Sequence, residues 1–314
     1  MNIFSQQIAT REAYGEALVD LGKEDSRIVA LGGDLNKSTF THLFAKEYPD
    51  RFFDFGPAEQ NIISVAAGMA SMGKIPFINT FAVFGTCRPF DQLRIAVAQT
   101  KLNVKLVCTH AGILTGEDGI SAHGIEDIGL ISMLPGFTII CPSDAIETKA
   151  AIREAVKING PVYIRLYRPP TPVINQEPYS FKVGESKLLV EGNDATIVAT
   201  GSMVPRALQA ACLLAGENIN CRVLNVHTIK PLDTEKILLS AQETGALVTC
   251  EEHYRYGGLS SIVAQYITEK HPVPIEVVAL EGYAESGTAE ELLVKYKLTA
   301  KDICTAVKKV LKRK

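Results

Sequence analysis

The strongest constraint on the fold is the alternation of short, β-branched apolar runs with longer segments of helical periodicity. The runs "RIVALGG" at 27–33, "IPFINTF" at 75–81 and "NVKLVCTH" at 103–110 are short and rich in apolar residues, and each precedes a helical segment. Strands that are apolar on both faces are typical of parallel sheets that carry helices on either side. The sequence therefore predicts an α/β fold.

The alternation stops once and then restarts. The segment "RPPTPVINQEP" at 168–178 contains four prolines, which is typical of a linker. A chain of 314 residues is long enough for two domains. We therefore predict two doubly wound α/β domains, residues 1–172 with a mainly parallel sheet and residues 173–314, with a last helix near residues 288–298.

Composition excludes several classes of function. A net charge of −3 without a basic stripe argues against a nucleic-acid partner. The start of the chain, "MNIFSQQIATREAYGEALVDLGKEDSR", predicts an amphipathic helix, not a signal peptide, and no apolar run approaches the ~18 residues of a membrane span. Seven cysteines without a CxxC pair predict reduced thiols, no metal site in this chain and a cytoplasmic location.

Polar and aromatic residues follow several of the predicted strands. Parallel sheets bind ligands at the carboxyl ends of their strands, so these residues should share one rim. An arginine there can hold a phosphate, and histidine and aspartate can hold hydroxyl groups, which suits a phosphorylated polyhydroxy substrate. The rim residues are Asp34, Leu35, Ser38, Phe81, Phe84, His110, Asp118, His123 and Arg165.

Glu59 is a lone carboxylate at the start of a buried helix, within "FGPAEQN" at 55–61. The helix dipole alone favours an acid at this position by roughly 0.3–1 kcal/mol. The residue pattern by itself does not separate this structural reason from a chemical one.

The chain resembles the C-terminal half of transketolases over essentially its whole length. The segments that carry the resemblance include "GGDLNKSTF", "FGPAEQN", "PFINTFAVF", "THAGILTGEDGISAHGIEDI", "YIRLYRP" and "EEHYRYGGLSSIVAQ". It implies a pyrimidine-binding domain followed by a transketolase C-terminal domain. The Gly-Asp-Gly and Asn-pair signature that binds magnesium diphosphate is missing, so the chain is most similar to the C-terminal subunit of a split transketolase.

The resemblance also implies a cofactor, thiamine diphosphate. Glu59 matches the glutamate that hydrogen-bonds the aminopyrimidine ring and so makes its exocyclic nitrogen a base. Phe84 matches the aromatic residue that stacks on this ring, with Phe81 beside it, and Asp34 and Leu35 match residues near the thiazolium. Mg²⁺ and the diphosphate would be held by a partner, an N-terminal subunit, in a heterotetramer of two copies of each chain.

The same resemblance assigns substrate contacts. Ser38, His110 and Arg165 match residues that contact the sugar or its phosphate, Asp118 matches the acid that binds a donor hydroxyl, and His110 joins Glu59 as a catalytic residue. The implied reaction transfers a two-carbon unit from a ketose phosphate to an aldose, as in pentose phosphate metabolism. This chain alone should be inactive.

One segment departs from the family pattern. Ala122 stands where a polar side chain usually reaches the sugar, and His123 lies one position later. Losing a polar contact changes selectivity, so a donor other than xylulose or fructose phosphate is expected, a branched-chain ketose phosphate or a sulfonated ketose being examples. Alternatively, His123 occupies the space beside Ala122 and restores ordinary specificity.

Other interpretations remain open from the sequence. The β-subunit of a 2-oxo-acid dehydrogenase decarboxylase component has the same layout and size. Deoxyxylulose-phosphate synthase shares these domains within a longer chain. A non-catalytic regulatory subunit with the same fold is the alternative from a different class.

Overall fold

The computed structural model describes residues 4–314, and its strands follow the predicted alternation. Extended segments with mainly apolar side chains form the strands, and the strands in the middle of each sheet are buried. The strands are β1 (Gln7–Ala9), β2 (Ile28–Gly32), β3 (Phe52–Asp54), β4 (Ile75–Phe81), β5 (Lys105–Thr109), β6 (Thr138–Ile140), β7 (Val162–Arg165), β8 (Pro170–Pro172), β9 (Lys187–Val190), β10 (Ala195–Ala199), β11 (Cys221–Asn225), β12 (Thr228–Lys230), β13 (Leu247–Tyr254) and β14 (Ile275–Leu280).

Helices cover the sheets and connect most of the parallel strands. A 3₁₀ turn precedes β3, a second one spans Ile113–Asp118, and a π-helical segment covers Leu93–Ala98. The α-helices are α1 (Thr10–Glu24), α2 (His42–Glu47), α3 (Glu59–Ser71), α4 (Ala82–Cys87), α5 (Phe90–Gln92), α6 (Asp127–Ser132), α7 (Ala145–Lys157), α8 (Met203–Ala215), α9 (Thr234–Thr244), α10 (Leu259–Lys270), α11 (Ala289–Lys295) and α12 (Ala300–Leu311).

The first half of the chain builds a seven-stranded sheet in the order β12-β6-β7-β5-β4-β2-β3. All neighbouring pairs are parallel except β12 with β6, which is antiparallel. Since β12 comes from the second half of the chain, the two halves share one sheet edge. The carboxyl ends of β2, β4, β5 and β7 meet at one side of this sheet, which places their loops together.

The second half builds a five-stranded sheet in the order β14-β13-β10-β11-β9. Its strands are parallel except β9, which is antiparallel to β11. One apolar core cluster continues from the first half into the second, from Leu31 and Ile62 to Ile197 and Val248. The predicted fold class, a mainly parallel α/β domain followed by a second α/β domain, is therefore confirmed.

Three predictions about elements need correction. The proline-rich segment 168–178 is not only a linker, since β8 pairs antiparallel with β1. The helix near residues 288–298 is α11, which is followed by the longer α12. At the start, α1 is preceded by β1, and residues 1–3 of the quoted N-terminal stretch lie outside the described part. Among residues 4–314, no helix combines the length and the apolar character needed to cross a bilayer.

Candidate functional site

Glu59 is the first residue of α3, and 5 % of its surface is exposed. Its Oε1 atom accepts a hydrogen bond of 2.9 Å from Nη1 of Arg88, which is the only side chain in residues 4–314 that bonds to it. The guanidinium carbon of Arg88 also lies 4.1 Å from the centre of the Phe84 ring. Glu59 and Phe84 thus face one space, which the planar, cationic guanidinium of Arg88 occupies.

Phe81, at the end of β4, continues this aromatic surface. Its ring stacks on Phe84 with centroids 5.7 Å apart and on His110 with centroids 3.7 Å apart. Stacked rings position each other and exclude water. The predicted aromatic pair and the predicted histidine therefore form one continuous stack beside Glu59.

His110 follows β5 directly and has a left-handed backbone with φ of 56°. Its Nδ1 atom lies 2.8 Å from the hydroxyl of Thr109, and the residue is only 2 % exposed. Burial, together with the positive charges of Arg11 and Arg168, lowers the pKa of His110 to about 3. The imidazole is therefore neutral at pH 7 and can donate a hydrogen bond to a hydroxyl group or accept one from it.

The 3₁₀ turn after β5 connects His110 to a charged pair. Thr115 donates its hydroxyl hydrogen to the His110 carbonyl at 2.7 Å, and the Thr115 carbonyl accepts a hydrogen bond of 2.7 Å from Arg168. The same Nη1 atom of Arg168 lies 3.3 Å from Oδ1 of Asp118. Both charged side chains are about one-third exposed, so the pair lies at the open edge of the rim.

His123 is held beneath this turn. Its Nε2 atom lies 3.0 Å from the Gly116 carbonyl, and burial lowers its pKa, so the neutral ring donates from Nε2. Gly116 has a φ of 74°, which aims its carbonyl toward the histidine and favours glycine there. The Nδ1 atom of His123 is buried without a hydrogen-bond partner in the described chain, and the adjacent Ala122 is also buried.

Asp34 and Leu35 lie in the loop after β2, next to the start of α3. Asp34 has a φ of 63°, and its backbone N–H donates to Oδ1 of Asp54 at 3.0 Å. The same carboxylate oxygen accepts the N–H of Gly56 at 3.1 Å. These bonds tie the loop after β2 to the loop that leads into Glu59.

Ser38 lies further along the same loop. Its carbonyl accepts a hydrogen bond of 2.8 Å from Nη1 of Arg11. Arg11 is also close enough to His110 to lower that histidine's pKa. Ser38 therefore lies on the same side of the sheet as His110, at the edge of the rim.

Arg165 does not fit the role predicted for it. It is 1 % exposed, and its Nε atom donates to Asp127 at 2.7 Å. Its terminal nitrogens donate to the Gly124 and Glu252 carbonyls and to the Tyr167 hydroxyl. Four of the five N–H groups of Arg165 are therefore committed to protein groups. As the buried last residue of β7, it also lies away from the open edge where a phosphate would bind.

The rim thus contains residues that the sequence interpretation missed. Arg168, three positions after Arg165 in the same "YIRLYRP" segment, reaches the open edge because β7 ends at Arg165. That signal was available, since ligand-binding residues follow strand ends. Arg88 and Arg11 had no comparable signal, because their roles depend on which way a long side chain turns.

Within residues 4–314, no group of three or more His, Cys, Asp or Glu side chains is arranged to hold a metal ion. The seven cysteines are all unpaired.

Comparison with known families agrees with this architecture. A family model described as "Transketolase, pyrimidine binding domain" matches residues 6–173. A second, described as "Transketolase, C-terminal domain", matches residues 184–303. The two models follow each other in the order of the two sheets.

Three proteins illustrate the similarity. A solved structure of a split gene transketolase, described as an inactive β4 tetramer, has a TM-score of 0.92 and 47 % identity over 98 % of this chain and 99 % of that one. The 6-deoxy-6-sulfo-D-fructose transketolase subunit SqwH of Clostridium sp. is 43 % identical over 97 % of this chain and 95 % of its own length. Human transketolase is 40 % identical over 96 % of this chain, which spans about half of the human protein (49 %).

Proposed function

The chain belongs to the transketolase family, and on that premise we propose that it is the C-terminal subunit of a two-chain, thiamine diphosphate-dependent transketolase. The activity would be transfer of a two-carbon ketol unit from a ketose phosphate or related ketose to an aldose. The observation that carries the proposal is the buried carboxylate of Glu59, which shares one space with the Phe84 ring. We propose a cytoplasmic location as well.

The residues around this space fit the aminopyrimidine end of the cofactor. A planar group with N–H donors already contacts both the Glu59 carboxylate and the Phe84 face, so the space accepts such a group. Glu59 would hold the ring through a hydrogen bond, and Phe81 and Phe84 would stack against it and exclude water. Asp34 and Leu35 would line the side nearer the thiazolium. When bound, the cofactor supplies the carbon nucleophile that cleaves the bond beside a ketose carbonyl.

The neighbouring rim would hold the substrate. His110, kept neutral by burial, would exchange a hydrogen bond with a sugar hydroxyl, and it is the second catalytic residue that we propose. Asp118 would bind a donor hydroxyl, with Ser38 and His123 nearby. Arg168 replaces Arg165 as the proposed contact for the phosphate or another anionic end group, since its guanidinium reaches the open edge.

The other half of the site would come from a partner chain. This chain spans about half of human transketolase, and the matched family models cover the pyrimidine-binding and C-terminal domains. We propose that an N-terminal subunit holds the diphosphate and Mg²⁺, and that two copies of each chain form the enzyme. The similar solved chain is described as an inactive β4 tetramer, which supports inactivity of the isolated chain.

Reconstitution tests the proposal. The purified chain is combined with the N-terminal subunit, thiamine diphosphate and Mg²⁺, and ketol transfer from a ketose phosphate to an aldose is followed. Transfer should require both chains. Transfer by this chain alone contradicts the subunit assignment. Oxidative decarboxylation of a 2-oxo acid in place of ketol transfer supports the dehydrogenase alternative, and cofactor binding without turnover of any donor supports a regulatory subunit.

The donor is a further proposal. SqwH is named as a subunit of a 6-deoxy-6-sulfo-D-fructose transketolase and is 43 % identical to this chain. Ala122 stands where transketolases usually carry a polar side chain. Asp118 offsets part of the charge of Arg168. We therefore propose a donor other than xylulose or fructose phosphate, for which a sulfonated ketose is the first candidate.

A further inference from the structure

Arg88 makes two contacts in the space between Glu59 and Phe84, where the proposed aminopyrimidine would bind. Within residues 4–314 it makes no others with charged or aromatic groups. Its Nη1 atom donates to Oε1 of Glu59 at 2.9 Å, and its guanidinium carbon lies 4.1 Å from the Phe84 ring centre. The side chain starts from the residue that follows α4 and is half-exposed, at 50 %. It therefore enters the space from the solvent side.

These two contacts are the ones that the proposed aminopyrimidine needs. A guanidinium is planar, presents N–H donors in its plane and stacks on aromatic faces. An aminopyrimidine is also planar and would stack on Phe84 while bonding to Glu59. One carboxylate oxygen and one ring face cannot serve both groups in the same place.

We propose that Arg88 occupies the pyrimidine position as long as no cofactor is bound, and that the cofactor must displace it to bind. This inference rests on the proposed function. In the free chain, Arg88 pairs the carboxylate of Glu59, which is nearly buried and would otherwise lack a partner. On displacement the guanidinium moves into water. This movement costs little free energy because the side chain is already half-exposed.

Displacement of Arg88 weakens the binding of the cofactor. Every binding event gives up the Arg88–Glu59 ion pair and the Arg88–Phe84 contact, so removing Arg88 should tighten binding. Contacts of these two kinds at half-exposed sites correspond to a gain of about 5- to 20-fold. An arginine that belonged to the cofactor site would have the opposite effect on removal.

Calorimetric titration of thiamine diphosphate with Mg²⁺ into the assembled two-chain complex tests this. Arg88→Ala should bind the cofactor about 5- to 20-fold more tightly than wild type. Arg88→Lys, which keeps the charge but not the planar fork, should fall between the two. Arg94→Ala is the matched control, since Arg94 is equally exposed (48 %) and makes one ion pair, with Asp91 at 3.1 Å. Its affinity should equal that of wild type.

Thermal unfolding supplies a second readout without turnover. Without cofactor, Arg88→Ala should have a lower Tm than wild type because Glu59 loses its partner, and with saturating cofactor the two Tm values should coincide. If the wild-type complex binds the cofactor and Arg88→Ala binds equally well or more weakly, the displacement proposal is wrong while the proposed function stands. If the wild-type complex does not bind the cofactor, the proposed function fails, and this inference fails with it.

Discussion

Arg165 and Asp127 form a buried ion pair where the first sheet meets the second half of the chain, with Arg165 Nε 2.7 Å from Asp127 Oδ2. Burial alone would raise the pKa of Asp127, but the adjacent guanidinium holds it below its ordinary value. Arg165 also donates to the Glu252 carbonyl at 2.9 Å, which lies on β13. Arg165 therefore connects the ion pair in the first half of the chain to the second half through its bond to the Glu252 carbonyl.

Arg165→Met should reduce the free energy of unfolding by about 3–5 kcal/mol, because it leaves the Asp127 carboxylate buried and uncompensated. Urea denaturation measures this. The double variant Arg165→Met/Asp127→Asn should recover part of the loss, since no buried charge remains. Arg168→Gln is the matched control and should cost under about 1 kcal/mol, because its ion pair is at the surface. Equal losses for the two arginines would contradict these opposite assignments.

The contrast between Arg165 and Arg168 shows how far the sequence could be interpreted. Both lie in "YIRLYRP", the segment in which the resemblance assigned a substrate contact to Arg165. The structure places Arg168 at the open edge of the rim, and a substrate contact from this segment stays a prediction. The choice between them depends on where β7 ends, and strand ends are known from sequence only to within a few residues. Arg165, the last residue of β7, is buried in the core, whereas Arg168, three positions further along, reaches the rim.

Elements with strong local signals were predicted well. The strand at 75–81 coincides with β4, and the apolar helix that begins at Glu59 coincides with α3. The helix α12 also had a signal that was overlooked: Thr299 and Asp302 form a capping box, and Ile303, Val307 and Val310 are buried at helical spacing. By contrast, β12 is three residues long and forms only because another domain offers an edge, which no local pattern specifies.

The sequence predicted that the aromatic and acidic side chains would share one rim, and the structure brings them together. Their binding roles stay predictions, and the arginine that lies among them was not predicted. Glu59, Phe81, Phe84 and His110 come from three separate segments, and their meeting follows from the order of parallel strands. The position of the Arg88 guanidinium depends on several rotatable bonds and on competition between water and Glu59. Such a choice is made by the folded environment and leaves no pattern in the sequence.

His110 should make stability depend on pH. Its ordinary pKa of 6.5 is lowered in the folded chain to about 3, so the unfolded chain binds the proton first as the pH falls. Its contribution is complete above about pH 6.5 and is lost progressively toward pH 3, with a slope of at most about 1.4 kcal/mol per pH unit. His110→Asn, which tolerates the left-handed backbone, should flatten the stability curve between pH 4 and 6.5. Parallel curves for the two proteins would show that His110 titrates normally.

Glu59→Gln should leave folding nearly unchanged and lower turnover of the reconstituted enzyme by at least about 100-fold, because an amide cannot share a proton with the pyrimidine. The two side chains are nearly isosteric, and Arg88 can still donate to the amide oxygen. Turnover is measured at saturating cofactor, so that weaker binding does not mimic lost chemistry. Near-normal turnover under those conditions would contradict the catalytic assignment.

Phe84→Ala should act on cofactor binding more than on turnover. Removing the stacking surface should weaken binding of thiamine diphosphate by roughly 1–3 kcal/mol, and turnover should largely return at high cofactor concentration. Calorimetry on the assembled complex measures the affinity, and a cofactor titration of the reaction rate measures the recovery. A loss of turnover that cofactor does not restore would indicate that Phe84 acts in the reaction itself.

The donor specificity should depart from that of ordinary transketolases because of Ala122. The usual polar side chain is missing there, and His123 is bonded to the Gly116 carbonyl at 3.0 Å, so filling the space beside Ala122 would require breaking that bond. Asp118 offsets part of the charge of Arg168, which suits a sulfonate with one negative charge better than a phosphate with nearly two.

We expect kcat/KM to be higher for 6-deoxy-6-sulfofructose than for xylulose 5-phosphate or fructose 6-phosphate, measured side by side with one acceptor. Ala122→His should shift the ratio toward the phosphorylated donors by restoring a hydrogen-bonding group, and an unfolding measurement must show that the buried substitution is tolerated. Arg168→Gln should lower kcat/KM for every anionic donor, mainly through KM, because it removes the contact to the end group. If xylulose 5-phosphate is preferred and Ala122→His leaves the ratio unchanged, the donor site is an ordinary one.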